Sequence, residues 1–85
     1  IGATALVADV SVEAEVVRLV ADAERALGGL NVLVNNAAFG YSAPLVDTDA
    51  ERFRELHATN VLGAMLVARE CARRFIAQNS GNIVN

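Results

Sequence analysis

A chain of 85 residues is long enough for one domain or part of one, and two folded domains do not fit in it. Hydrophobic residues make up 54% of the chain, which excludes disorder and is unusually apolar for so small a molecule, whose surface is large for its volume. A net charge of −3 without a basic stripe excludes a phosphate-tracking nucleic-acid partner, and the longest apolar run, Val61 to Ala68, is interrupted by Gly63 and falls short of the ~20 residues that span a bilayer.

Thr4 to Ala8 is apolar without alternation and ends at Asp9, the pattern of a parallel strand covered on both faces. Ser11 is placed to cap a helix. Glu13 and Glu15 stand in its first turn, where negative charge favours the positive end of the helix dipole. Val12, Val16, Leu19, Val20, Ala23 and Leu27 then recur at helical spacing until Gly28 and Gly29 stop the helix. Val32 to Val34, led by Leu30, predicts a second buried strand that runs into Asn35 and Asn36. Beyond a loop with Gly40, Tyr41 and Pro44, Thr48 and Glu51 have the spacing of a capping box. The helix they open is predicted to reach about Gln78, where Asn79, Ser80 and Gly81 end it. A third strand is predicted over Asn82 to Val84. The order strand, helix, strand, helix, strand predicts an α/β fold with a partial doubly wound, Rossmann-like parallel sheet.

In such sheets ligands bind beyond the carboxyl ends of the strands, which is where the polar candidates fall. The Asp9 carboxylate can accept a hydrogen bond from an adenine amino group there, or it can simply form a turn before the helix. Asn35 and Asn36 offer donors and acceptors to neighbouring strand ends and to a ribose, and the small residues Ala37 and Ala38 would let a flat ligand approach the backbone. The long helix has an apolar stripe of Phe53, Leu56, Val61, Ala64, Ala68, Cys71, Ala72 and Phe75, with Asn60 inside it. An amide in that position must find partners: a water, a backbone carbonyl in a site, or a kink. His57, one turn earlier, reads as a rim or packing residue. Leu62, Met65 and Leu66 make the helix apolar on its other side too, which predicts an oligomer interface.

Cys71 is the only cysteine, so no internal disulfide or cysteine-based metal cluster is expected, and a reducing cytoplasm suits it best. All seven basic residues are arginines. Tyr41 therefore has no lysine four residues on, and Ser11, Ser42 and Ser80 lack His/Asp company at the spacing of a nucleophilic triad.

VADVS (residues 7 to 11), LNVLVNNAA (30 to 38), ATNVLGAMLVA (58 to 68) and SGNIVN (80 to 85), taken in order, resemble the middle of a short-chain dehydrogenase/reductase. The resemblance covers nearly the whole chain and corresponds to the family's third, fourth and fifth strands. It implies that residues 1–85 are the central, incomplete part of one dinucleotide-binding domain for NAD or NADP. Asp9 and Val10 would border the adenine, and Asn36, Ala37 and Ala38 would line the ribose while Asn35 braces the strand ends. Ala38 stands where the family usually has glycine, adding a methyl beside the cofactor. Asn60 matches the asparagine that joins the family's catalytic serine, tyrosine and lysine and holds a water in the proton relay; Val61 would approach the nicotinamide ribose.

By the same resemblance, the Gly-rich pyrophosphate turn belongs ahead of Ile1, the catalytic serine just past Asn85 and the Tyr-x-x-x-Lys pair further on. These 85 residues by themselves are then expected to be inactive. The family's strand order also separates its third and fourth strands by two others, a gap of about 14 Å at the usual strand spacing. The first strand is therefore expected to have unpartnered backbone groups. Two functions follow: part of an oxidoreductase that transfers a hydride between a nicotinamide cofactor and an alcohol or ketone, or a non-catalytic association module built on the helix from Thr59 to Phe75, through which a homo-oligomer would form.

Overall fold

In the computed structural model, which describes residues 2–85, the first regular element is a helix. α1 spans Glu13–Leu27 and ends at Gly28, whose φ of 75° only glycine adopts cheaply; the Gly29 amide then donates to the Glu24 carbonyl at 3.0 Å. The N-cap is Val12, not Ser11, and it supplies only its carbonyl. The serine hydroxyl is drawn instead to the nearby Asp9 carboxylate.

Residues 2–9 join no ladder, so the predicted strand over Thr4 to Ala8 does not form, and Val7 is 94% exposed rather than buried. A strand has no backbone hydrogen bonds of its own and needs a neighbour, which the described residues do not place beside this segment. The other two strands do pair. β1, Val32–Val34, and β2, Asn82–Val84, lie parallel with Leu33 opposite Ile83. The Asn82 amide donates to the Asn31 carbonyl at 3.0 Å and the Asn35 amide to the Val84 carbonyl at 2.7 Å, which continues the pairing at both ends.

The long helix is three pieces. α2 covers Ala50–His57, a π-helical turn covers Ala58–Gly63, and α3 covers Ala64–Gln78, ending at Asn79 with φ 56°. The expected capping box is absent. Asp49 is the N-cap and its carboxylate accepts the Arg52 amide at 3.0 Å, whereas the Thr48 hydroxyl donates to the Pro44 carbonyl and closes a short 3-10 turn, Leu45–Asp47. Asp49 stands one residue closer to the helix, so the orphan amide that is capped is that of Arg52 and not that of Glu51, which Thr48 would have served.

The π turn also moves the apolar stripe. By adding a residue per turn it rotates everything downstream relative to Phe53 and Leu56. The face that becomes buried is Gly63, Leu66, Val67, Glu70, Cys71 and Phe75, and Val61 is left exposed. Leu66, expected on the outer side with Leu62 and Met65, is 2% exposed and belongs to the core. There it packs with Val67, Cys71 and Phe75 against Val16 and Val20 of α1, with Val10, Leu30 and Leu33 around them. Each such side chain is worth about 1.5–3 kcal/mol when fully buried.

α1 and α3 therefore cover the face of the sheet to which Leu33 points. Val32 and Val34 point the other way and are exposed, contrary to the two-faced burial their apolar run predicts. Buried Glu70 accepts from Arg69 Nε at 3.2 Å and Arg73 Nη1 at 3.0 Å, Arg69 reaches Glu13 at 3.2 Å, and Arg74 reaches Glu24 at 3.3 Å, so ion pairs join the two helices along their contact. No helix among the described residues is long and apolar enough to cross a membrane.

Candidate functional site

Three segments meet at the carboxyl ends of the strands: residues 9–12 leading into α1, residues 35–39 leaving β1, and the π turn. Asp9 is held on both sides. Its Oδ1 accepts the Ser11 hydroxyl at 2.6 Å and the Ser11 amide at 2.9 Å, and its own amide donates to Glu15 Oε1 at 3.1 Å. The Ser11 hydroxyl, followed by the Ser11 amide, holds the Asp9 carboxyl below the usual carboxylate value, so it is an anion at neutral pH. Its second oxygen accepts no hydrogen bond from the described residues and the residue is exposed.

Val10 leans on the π turn. A Cβ built on Gly63 would stand 2.7 Å from Val10 Cγ2 and 3.0 Å from the Val10 carbonyl oxygen, an approach that glycine alone permits. Asn35 ties the end of β1 to the start of α3, its Nδ2 donating to the Ala64 carbonyl at 2.8 Å and reaching Asn85 Oδ1 at 3.4 Å. Asn36, Ala37 and Ala38 are exposed beside it, as is Val61 on the π turn.

Asn60 finds its partners in the backbone of one residue. Its Nδ2 donates to the Phe39 carbonyl at 2.8 Å and its Oδ1 accepts the Phe39 amide at 3.0 Å, the two bonds a neighbouring strand would make. The amide is thus occupied in holding the loop after β1 to the π turn. His57 stacks on Phe53, ring centroids 6.2 Å apart, and remains exposed, which is its packing role. The Arg52 guanidinium lies 5.6 Å from the Tyr41 ring centroid, a cation–π contact that anchors the loop before α2.

The structure thus brings Val10, the loop from Asn35 to Phe39, and Asn60 onto the same edge, with Asp9 next along the chain from Val10. Sequence reasoning missed Phe39 and Gly63. Phe39 gave no signal, because only its backbone is used. Gly63 did give one: a glycine inside an apolar helical run costs about 1 kcal/mol relative to alanine and points to a packing reason.

A family model described as enoyl-(acyl carrier protein) reductase matches residues 1–85. Glucose 1-dehydrogenase of Gluconobacter oxydans is 44% identical over 68 residues, which is 80% of this chain and 26% of that protein. Among solved structures, an NAD+-bound xylitol dehydrogenase superposes with a TM-score of 0.89 at 37% identity, over 94% of this chain and 31% of that one. ElxO with NADP bound gives 0.85 at 31% identity, over 91% and 32%. The chain spans about a third or less of the length of these relatives.

Proposed function

Since the chain belongs to the short-chain dehydrogenase/reductase family, we propose that it forms the central part of a dinucleotide-binding domain in an oxidoreductase acting on alcohols and carbonyl compounds with NAD or NADP. In the oxidative direction the substrate carbon gives a hydride to the nicotinamide and the hydroxyl gives up its proton, leaving a carbonyl compound, reduced cofactor and one proton. The hydride chemistry is the cofactor's; the residues of this chain bind and orient.

The donor set fits a dinucleotide. Asp9 offers an ionised, exposed oxygen for the adenine amino group beside Val10, Asn36 an exposed amide for a ribose, and Ala37 and Ala38 little bulk against a flat ligand. Val61 stands on the same π turn as Asn60 and would face the nicotinamide ribose. Asn60 would serve the proton relay by position, since its amide is committed to Phe39. π-bulges recur at functional sites because they re-aim backbone groups that an α-helix would consume. The observation that carries this reading is the pair of hydrogen bonds between the Asn60 side chain and the Phe39 backbone, which ties the loop after β1 to the π turn.

The relatives named for glucose and xylitol make sugars and polyols the first substrates to try. The test, made on the full-length protein that contains this segment, is the change in nicotinamide absorbance with NAD or NADP across a panel of alcohols, polyols and ketones. Turnover is expected, with Asn60→Ala lowering kcat by about 10²-fold or more, the range of relay groups. No absorbance change with any member of the panel would end the enzyme reading.

A second reading is favoured by the outer side of the helix. Phe53, Leu62 and Met65 remain exposed there, an apolar strip that supports association of copies through residues 59–75 to a homo-oligomer, with Leu66 excluded from that strip by its burial. Leu62→Glu is expected to shift the sedimentation coefficient to that of the monomer. Buried, unpaired Cys71 supports a cytoplasmic setting.

A further inference from the structure

Gly63 is in ordinary right-handed helical conformation, φ −60° and ψ −44°, so glycine is not there to satisfy the backbone. Its cost to the helix is offset by something else, and the surroundings say what. The position is buried, and of the three atoms nearest to a Cβ built there, two belong to the Val10 backbone: the carbonyl oxygen at 3.0 Å and the carbonyl carbon at 3.2 Å. Cγ2 at 2.7 Å is a side-chain atom, but the other two are main chain and tighter than ordinary contact, so a side chain at 63 displaces the main chain of residue 10 by a few tenths of an ångström.

Three residues earlier on the same turn, Asn60 holds the Phe39 main chain through two hydrogen bonds. One six-residue turn therefore meets both loops, one by van der Waals contact with no side chain between and the other by an amide clamp. Asp9, Val10 and Ser11 form one turn closed by the Asp9 carboxylate on Ser11, so a shift of the Val10 main chain is passed to Asp9 and strains the bond from its amide to Glu15 of α1.

We propose that Gly63 is a positioning residue: by carrying no side chain it seats Val10 on the π turn and so sets the spacing between the Asp9–Val10 edge and the Asn36–Ala38 edge of the cofactor crevice. This rests on the reading that the crevice takes a dinucleotide with its adenine at Asp9 and Val10. The effect should fall on the adenine half of the ligand and spare the nicotinamide half.

The experiment compares the full-length protein that contains this segment with its Gly63→Ala variant by calorimetric titration with NAD, ADP and nicotinamide mononucleotide, with amide hydrogen exchange of residues 9–12 followed alongside. ADP and NAD are expected to bind about tenfold more weakly to the variant, and the mononucleotide within about twofold of the parent, tenfold being the effect of ~1.4 kcal/mol. Exchange at residues 9–12 should quicken. Adding Val10→Ala to Gly63→Ala removes the closest of the three contacts and is expected to recover part of the ADP affinity; this double variant also carries the comparison if the single one does not fold.

Unchanged ADP affinity in Gly63→Ala, or equal weakening of ADP and the mononucleotide, overturns the proposal. If the parent protein binds none of the three ligands, the dinucleotide reading fails and takes the proposal with it, which is distinguishable because the parent and not the variant is then at fault.

Discussion

The helical layer of this protein is built from amphipathic sequence and the first two strand-like segments from apolar runs, and yet it is the helices that bury a core. In α1 and α3 every interior backbone bond closes within the helix, and the two pack together and against Val10, Leu30 and Leu33 to bury Val16, Val20, Leu66 and Val67. In the strands the bonds must be shared. Residues 2–9 have no strand partner among the described residues and form no strand, while β1 pairs on one edge and is covered on one face only. Apolar character alone therefore does not bury a segment. A helix carries its backbone solution with it, whereas a strand waits for neighbours.

The sharpest way to break that contrast is to trim one side chain from each region. Leu66→Ala is expected to destabilise the protein by about 2–5 kcal/mol in denaturant unfolding, because it opens a cavity between α1 and α3. Val34→Ala, on the bare face of β1, should cost under about 1 kcal/mol, little area being lost from contact. Equal losses would mean that the exposed face of β1 is covered in solution.

A smaller effect separates the two caps of α2. Asp49→Ala should cost about 1 kcal/mol in the same measurement and Thr48→Ala clearly less, because the Asp49 carboxylate is the one that takes the helix amide. The reverse order would restore the capping box read from the spacing of Thr48 and Glu51.

The smallest effect is read by carboxyl carbon NMR during an acid titration. Asp9 should titrate below its ordinary value of 3.8, and Ser11→Ala should move it back up, since the Ser11 hydroxyl is the main cause of the lowering. The sign follows from linkage: the folded state favours the charged form, so what Asp9 adds to stability is complete above 3.8 and disappears as pH falls through the folded value. No movement in Ser11→Ala would show that the 2.6 Å bond is not formed in solution.

Much of this was legible without coordinates. Helical spacing from Val12 to Leu27 and the Gly28–Gly29 stop give α1 nearly to the residue, and the apolar runs that end before Asn35 and before Asn85 mark the two strands. The polar residues at the strand ends were legible too, because strand-to-loop transitions show as abrupt changes in side-chain chemistry. The failures have separate physical causes. A period of 3.6 residues per turn carried straight through a π turn puts Val61 in the core and Leu66 on the surface, the reverse of what the structure shows. Neither helix cap went to the hydroxyl whose spacing suggested it, because the Asp9 and Asp49 carboxylates were better placed as acceptors.

The order of the elements, their stops and their family motifs are properties of local sequence, since spacing, propensity and turn chemistry act over a few residues. Tertiary structure alone decided which face of β1 is covered, where the helix slips phase, that Asn60 binds the backbone of Phe39, and that Val10 lies against Gly63. Those outcomes depend on atoms tens of residues apart coming within a few ångströms, and no local pattern encodes that distance.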